Sequence, residues 1–434
     1  MVFVFPRDEE ITKEVVTDFI EQHKALIPEY QYNYNMYLGK HEILTQDAKE
    51  QYKPDNRIVA NYAKYTVDTT EGYFIGVPVK VTHEDETLNG FINDFRNRSN
   101  MADVESEVSK LAAIFGHAFI YLYQDEFADT YAVENSPLDM FIVYDDTIAQ
   151  KPLFAVRYFY DADDELQGEL MTDTHRYVLA SNKDGITIGD EQPHYYGDVP
   201  VVEYVQNSET QAVFENVKSL INALNKALSE KANDLEYFAD SYIKILGAEL
   251  DEESLETLRD NRIINFAGDG TDKLTVDFMT KPSADELQEN LIDRLIDLIY
   301  QLSMTANMND TAFAGNLSGV AMEFKLQGMK NMAIMKERKF QASMNRMYKM
   351  LFNLPTNVPA SAKDEWRNIR YQFSRNIPRN LENEAETMAK MEGILSKETQ
   401  ISVSSLVDNV QEELERIEEE RMVIPDQFYD ADRA

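Results

Sequence analysis

Several stretches carry residue types that could do chemistry, and each fails on spacing. Gly315-Asn-Leu-Ser318-Gly319 sits one place away from the strained glycine–serine turn that presents a nucleophile for acyl transfer. That turn needs a glycine two residues before the serine and a strand leading into it, and neither is read here. Gly268-Asp-Gly270 lacks the third glycine and the following helix of a dinucleotide cradle, and no Gly-x-x-x-x-Gly-Lys phosphate loop occurs. His23, His41, His83, His117, His175 and His194 never pair at the three- or four-residue helical step that suits a metal, and there is no cysteine. Asp145-Asp146 and Asp163-Asp164 could draw calcium but lack the alternating oxygen ligands of a binding loop, so they read as turns. The aromatic run Tyr30 to Tyr37 contains no Arg or Lys, so it reads as packing rather than as a base-stacking platform. Metal, cofactor and catalytic residues are therefore all expected to be none. Two carboxylates meeting across a cleft remain the one open enzymatic reading.

The unusual chemistry is one of charge. From Leu295 to Glu323 there is no Lys or Arg. From Ser318 to Asn353 there are seven basic residues against Glu323 and Glu337, a local charge of +5 in a chain of net charge −36. Half of the 18 methionines lie between Met304 and Met350. Two helices must position this region. Ser283, with Glu286 three residues on, has the spacing of a helix-opening capping box. Leu287, Leu291, Ile292, Leu295, Ile296, Leu298, Ile299 and Leu302 then recur at helical steps as one apolar stripe. The second helix, from Ser318 to Asn353 before Pro355, would be about 54 Å long, too long for one compact domain. One reading is a Met-rich core helix with a solvated basic face. The other is a helix packed on acidic surfaces of neighbouring copies, with the loop Ala306 to Leu317 lining a shared space.

At 434 residues the chain implies two to four lobes. The lack of cysteine excludes disulfides and thiolate metal sites. The opening Met-Val-Phe-Val-Phe-Pro-Arg does not read as a signal peptide, and no window of 18 apolar residues occurs, so no membrane partner is expected. Strong acidity excludes tight nucleic-acid binding, which rests on Lys and Arg displacing counterions from phosphate. It does not exclude an acidic wall past which a duplex slides.

In chain order, an apolar stripe of Ile11, Val15, Val16, Phe19 and Ile20 predicts a first helix. Ile58, Tyr62, Tyr65 and Thr69 predict a second, followed by helices over Leu88 to Asn97 and Met101 to Phe115, the latter stopped by Gly116. Strands are expected at Ala118–Tyr123, Met140–Tyr144, Leu153–Tyr160, His175–Leu179, Gly185–Ile188 and Pro200–Asn207, with a hairpin turn at Asn182 to Gly185. A helix from Thr210 to Tyr237 leads into a small α/β insert: strands at Tyr242–Leu246, Ile263–Phe266 and Leu274–Phe278, and a helix at Glu252–Asp260. A strand at Asn368–Ser374 and short helices at Glu382–Gly393, Val403–Leu406 and Asn409–Met422 close the chain. The fold class is α+β and mostly antiparallel in its first lobe.

Four stretches in order carry a resemblance: Asn56 to Val79, Pro200 to Asn207, Phe313 to Phe340 with Gly-Asn-Leu-Ser-Gly-Val-Ala and Lys-Glu-Arg-Lys-Phe, and Asn376 to Ser402 with Asn-Ile-Pro-Arg-Asn and Leu-Ser-Lys-Glu-Thr. The chain resembles the portal proteins of tailed bacteriophages, of the siphophage type of Gram-positive hosts. That resemblance implies a ring, expected to have twelve subunits, around a channel at one vertex of the capsid, assembled in the host cytoplasm and ending in the virion. It implies a wing (1–208), a stem helix (209–240), a clip (241–281), a second stem helix (282–305), a tunnel loop (306–317), a long helix and strand of the wing (318–378) and a short helical crown (379–434). Asn307, Asn309, Asp310, Thr311 and Asn316 would line the channel. Glu252, Glu253, Glu256 and Asp260 of the clip would dock the terminase large subunit during packaging and the head–tail adaptor afterwards. Major capsid and scaffolding proteins would be further partners, with double-stranded DNA passing through for packaging and ejection without sequence recognition.

The residues fit that picture. A loop without Lys or Arg cannot hold phosphate at each step, its asparagines offer exchangeable hydrogen bonds, and Asp310 repels. Lys336, Arg338 and Lys339 would meet carboxylates of the adjacent copy in a cyclic, heterologous ring. The rival reading is an acidic, non-enzymatic scaffold or interaction protein whose central helices form an ordinary hairpin.

Overall fold

The computed structural model describes residues 2–50, 53–182, 185–239, 243–246, 275–278, 285–308, 319–376, 386, 388–403, 407 and 410–423. They fall in two units, Met1–Asn376 and Ile377–Ala434. The class is α+β, as expected from the sequence.

The first unit is built on two sheets. The larger has the order β1 (Phe3–Phe5), β5 (Met140–Asp145), β6 (Pro152–Tyr160), β7 (Leu166–Met171), β8 (His175–Asn182), β9 (Gly185–Pro193). Its first pair is parallel and the rest are antiparallel. The smaller has the order β10 (Val201–Val205), β3 (His117–Gln124), β4 (Thr130–Asn135). Strand alternation sorts the larger sheet's side chains. Phe141, Val143, Phe154, Val156, Leu170 and Leu179 pack on helix α1 (Lys13–Lys24) through Val16, Phe19 and Ile20. Met140, Ile142, Ala155 and Met171 point the other way and meet Phe119 and Val201 of the smaller sheet.

Two strands that the sequence hides have physical reasons. β1 is three residues long and pairs with β5 far along the chain, so its local pattern is too short to read. β7 carries Gly168, which reads as a strand breaker. A Cβ at Gly168 would lie 2.2 Å from the Arg157 carbonyl oxygen on β6, so the close approach of the two strands requires glycine there.

Helices α2 (Ile27–Tyr37), α3 (Tyr62–Ile75), α5 (Met101–Phe115), α6 (Lys218–Ala239) and α7 (Asp285–Ser303) share a second core, with Val67, Ala113, Phe214, Ile221, Leu224, Ile292 and Ile299 at its centre. Helix α4 (Glu86–Arg98) packs beside α5, and β2 (Lys80–Thr82) pairs with β13 (Arg370–Gln372). The helix expected from Ile58 starts only at Tyr62, capped by Asn61. Residues 56 to 60 are held extended by α6. The Oδ1 of Asn225 accepts from Ala60 N at 2.8 Å, Ser229 Oγ from Ile58 N at 2.9 Å, and Asn233 Oδ1 from Asn56 N at 2.6 Å. Four helical residues rise about 6 Å and two extended residues about 6.6 Å, so a polar stripe at i, i+4, i+8 can satisfy alternate amides of a neighbouring strand-like segment.

The helix expected from Thr210 begins at Lys218. The chain before it is tied to the end of α5: Gln206 N donates to Gly116 O, and Val213 N to Ala113 O, both at 2.8 Å. Gly116 has φ +92°, and a Cβ there would lie 2.0 Å from Thr210 O, so the contact demands glycine.

Of the insert, β11 (Ile243–Leu246) and β12 (Thr275–Phe278) pair antiparallel. The helix expected at Glu252–Asp260 and the strand at Ile263–Phe266 lie outside the described residues. Helix α8 (Gly319–Asn353) runs 35 residues, about 53 Å. In the second unit, α9 (Lys397–Val403) and α10 (Val410–Val423) pack on each other. The short helices expected at Glu382–Gly393 and Val403–Leu406 fall partly outside the described residues, and α9 was not foreseen.

His23 yields a pH prediction. It is buried, its Nδ1 2.8 Å from Tyr158 Oη and its Nε2 2.8 Å from Pro137 O. Burial pulls its imidazole down to about 4. The folded ring stays neutral while the unfolded one protonates as pH falls below about 6.5. Stability is therefore full above that pH and is lost as pH drops towards 4, by about 3 kcal/mol for this residue. Burial pulls His41 and His194 the same way. Unfolding free energies measured between pH 7.5 and 4 should fall steeply in the native chain. In His23→Gln the fall should be shallower by roughly that amount. Equal slopes in the two proteins would show that His23 is not held neutral.

Candidate functional site

The stretch without Lys or Arg begins at Leu295 within α7 and runs on past its end at Ser303. The helix's last turn closes with Thr305 N donating to Tyr300 O, and Met304 adopts a left-handed φ of 54°. Beyond it the backbone is clamped. Tyr65 Oη donates to Ala306 O at 2.9 Å and accepts from Met308 N at 3.0 Å. Tyr62, Tyr65 and Tyr300 stack edge to face with centroids 5.6 to 6.2 Å apart. Burial pushes the Tyr300 phenol well above its ordinary value. Gly328 of α8 passes close to the Met304 carbonyl, where a Cβ would sit 3.2 Å away. The loop thus leaves from a fixed root. Asn307 is in that root, whereas Asn309, Asp310, Thr311 and Asn316 lie outside the described residues. Tyr65 was not singled out from the sequence, since only its position against α7 reveals the role.

Helix α7 departs from its reading as one apolar stripe. Ile292, Leu295 and Ile299 are buried, but Leu287, Leu291 and Leu302 are 73%, 53% and 48% exposed. They form an outer stripe with Leu298. Glu286, Asp293 and Asp297, also exposed, form another. At 3.6 residues per turn the two stripes lie about 130° apart, the acidic one farther from the core. The reason is that periodicity at three and four residues fits both a core face and an adjacent solvent-facing flank.

On α8 the basic residues divide. Lys336 was expected to meet a neighbouring copy. It is instead 3% exposed within its own chain, where its Nζ lies 2.6 Å from Glu71 Oε1 of α3 and 3.1 Å from Ser109 O of α5. Ser109 Oγ donates to the other oxygen of Glu71. Burial pulls the Lys336 ammonium below the ordinary lysine value while Glu71 opposes that pull. The pair won because a long helix crossing two others buries whatever lies at its centre. Arg346 is likewise spent on Asp198, Val199 O and Val201 O, and Glu337 on Arg375. Arg338 is exposed and Lys339 half-buried at the edge of an open groove. Glu252, Glu253, Glu256 and Asp260 lie outside the described residues.

Among the described residues, no three His, Asp or Glu side chains converge as a metal site would require, and no helix is long and apolar enough to cross a membrane. The arrangement is a clamped, uncharged loop root, an acidic helix stripe beside an apolar one, and a long helix held by ion pairs of which Lys336–Glu71 is buried.

The family model for phage portal proteins of the SPP1 Gp6-like kind matches residues 17–423. The portal protein of Bacillus phage SPP1 is 25% identical over 402 residues, covering 86% of this chain and 78% of the relative. The portal protein of Clostridium phage phiCD119 is 23% identical over 423 residues, covering 88% and 89%.

Proposed function

The chain belongs to the family of SPP1 Gp6-like phage portal proteins, and we propose that its copies close into a ring, twelve by expectation, whose channel conducts viral DNA during packaging and ejection. The observation that carries this reading is the divided surface of α7. An apolar stripe about 130° from an acidic one is what a helix needs when it packs laterally on a neighbour and turns its remaining face to passing phosphate. The loop beyond α7, with Asn307, Asn309, Asp310, Thr311 and Asn316, would form the narrowest collar. Its root is anchored by Tyr65, so its position follows α3 and α7 together. Residues 1–208 and 318–378 would be the wing, 209–240 and 282–305 the stem, 241–281 the clip and 379–434 the crown.

Arg338 and Lys339 remain available to a neighbouring copy's carboxylates, whereas Lys336 is already matched. The clip, with Glu252, Glu253, Glu256 and Asp260, would dock the terminase large subunit and later the head–tail adaptor. Capsid and scaffolding proteins would hold the ring at its vertex in the virion. The protein would do no chemistry of its own.

Mass tests the ring. The purified protein should approach twelve times the 50.1 kDa of one chain. Leu287→Asp with Leu291→Asp places two carboxylates in the lateral seam and should reduce the complex to single subunits that unfold like the parent. A native chain that stays a single subunit under all conditions overturns the proposal. So does a doubly substituted chain that assembles normally.

A further inference from the structure

The turn between β3 and β4 is an acidic knob with one large apolar side chain. It reads Asp125-Glu126-Phe127-Ala128-Asp129, and Phe127 is 78% exposed. The knob is tied at every step. Asp125 Oδ1 accepts from Phe127 N and from Asp129 N, both at 2.9 Å. Asp125 N donates to Asp129 O at 3.0 Å, and Gln124 Nε2 to Ala128 O at 3.0 Å. Ala128 is held at a left-handed φ of 62°, which the surrounding bonds must impose. The fold thus fixes an aromatic ring in water between carboxylates.

The same molecule carries a socket of opposite sign. Helix α8 forms one wall of an open groove of about 1110 Å³, and β10 with the β5–β6 and β7–β8 turns forms the rest. Lys339, Arg346 and Lys349 stand along the α8 wall, and Lys151 and Arg7 line the groove from other elements. Four carboxylates also line it, and three are spent. Asp145 accepts from Thr147 Oγ1 at 2.6 Å and Lys151 N at 3.1 Å, Asp198 pairs with Arg346, and Glu203 is held by His117 and Tyr144. Asp173 remains, against Arg7, Lys151, Lys339 and Lys349, which have no ion-pair partner among the described residues. The ten residues from Lys339 to Lys349 rise about 15 Å, room for a turn of five residues. Half-buried Trp366 lines the groove, and fully exposed Ile148 stands beside the lining residue Ala149, so an entering ring meets apolar surface.

Knob and socket flank opposite edges of the smaller sheet, β4 and β10. Complementary patches at different places on one molecule are what a head-to-tail contact between copies uses. A duplex is a poorer occupant, because it would meet the field of the whole chain at −36, whereas a turn brings only a few carboxylates and one ring.

We propose that the Asp125–Asp129 turn of one copy seats in the groove beside α8 of the next, with Phe127 against the neighbour's Trp366 and the carboxylates against the neighbour's Lys339 and Lys349. The contact rests on the ring proposed above, and it names surfaces that meet there apart from the α7 seam.

The chain has no cysteine, so an introduced pair reports only on itself. Phe127→Cys is combined with Ala342→Cys on the α8 wall, and in a second chain with Ala149→Cys on the β5–β6 turn; all three positions are exposed. On oxidation at least one of these chains should give a ladder of disulfide-linked multimers on a non-reducing gel. The same substitutions mixed as single variants should stop at covalent dimers. Phe127→Ser, and separately Lys339→Glu with Lys349→Glu, should raise the concentration at which rings form about tenfold, with unfolding midpoints near the native one. Rings that form without any linkage in either paired chain overturn this contact and leave the ring standing. Rings of the serine or glutamate variants that form at the native concentration do the same. A native chain that never assembles overturns the ring, and the contact with it.

Discussion

Lys336→Met should destabilise the chain by about 3 to 5 kcal/mol, because it strands the Glu71 carboxylate in a site closed to water. Glu71 keeps only the Ser109 hydroxyl in that variant, and a single neutral donor cannot replace an ammonium at 2.6 Å. Glu71→Gln should cost a similar amount for the mirror-image reason, leaving the ammonium without a countercharge and with only neutral partners: the new amide oxygen, Ser109 O and the face of Phe74 at 5.2 Å. The double substitution Lys336→Met with Glu71→Leu removes both charges and should recover most of the loss, since apolar replacement of a buried pair is often neutral. Urea unfolding of the four proteins at a concentration where assembly is absent completes the cycle. The same set separates two roles for Lys336. If it bonded a neighbouring copy, single substitutions would weaken assembly and leave the isolated chain's stability unchanged. Salt distinguishes them too: a buried pair is barely screened, whereas exposed Arg338 at a seam would lose its attraction as ionic strength rises. Single variants as stable as the parent would show that packing alone holds α8 on α3 and α5.

That pair also shows where sequence reading stops. The basic run on α8 was visible, and its length and limits were close to those observed. Which of its charges face inward was not, because Glu71 lies 265 positions away and nothing near Lys336 marks it as buried. Helix α5 was legible to the residue, since its apolar spacing and the stop at Gly116 agree. β7 was missed because the glycine that lets it approach β6 is the residue that argues locally against a strand. The polar stripe Asn225, Ser229 and Asn233 carries no local sign of burial, yet it holds the segment before α3 extended. The lack of positive charge around the loop needed no structure to be seen. Its rooting by Tyr65 did, since one tyrosine among 24 is singled out only by what its hydroxyl reaches.

Asp293→Lys with Asp297→Lys should cut DNA packaging at least tenfold while leaving the mass of the assembly unchanged. The two aspartates stand on the acidic stripe of α7, away from Leu287 and Leu291, so the lateral seam is untouched. In a closed ring the change would put about two dozen ammonium groups where carboxylates stood. Each phosphate they neutralise releases a counterion, so a duplex touching about three at once would gain affinity that changes about fortyfold between 50 and 200 mM salt. A motor advancing DNA would then work against a wall that grips at every step, where the native wall repels. Packaging by the variant should therefore recover as salt is raised, the reverse of what a loosened ring would do. That sign separates a lining from a seam. If the variant packages normally at low salt, α7 does not face the duplex and its acids serve solubility alone. If packaging fails at all salt concentrations with the assembly intact, the stripe meets a protein partner instead of phosphate, since only a phosphate grip is relieved by counterions.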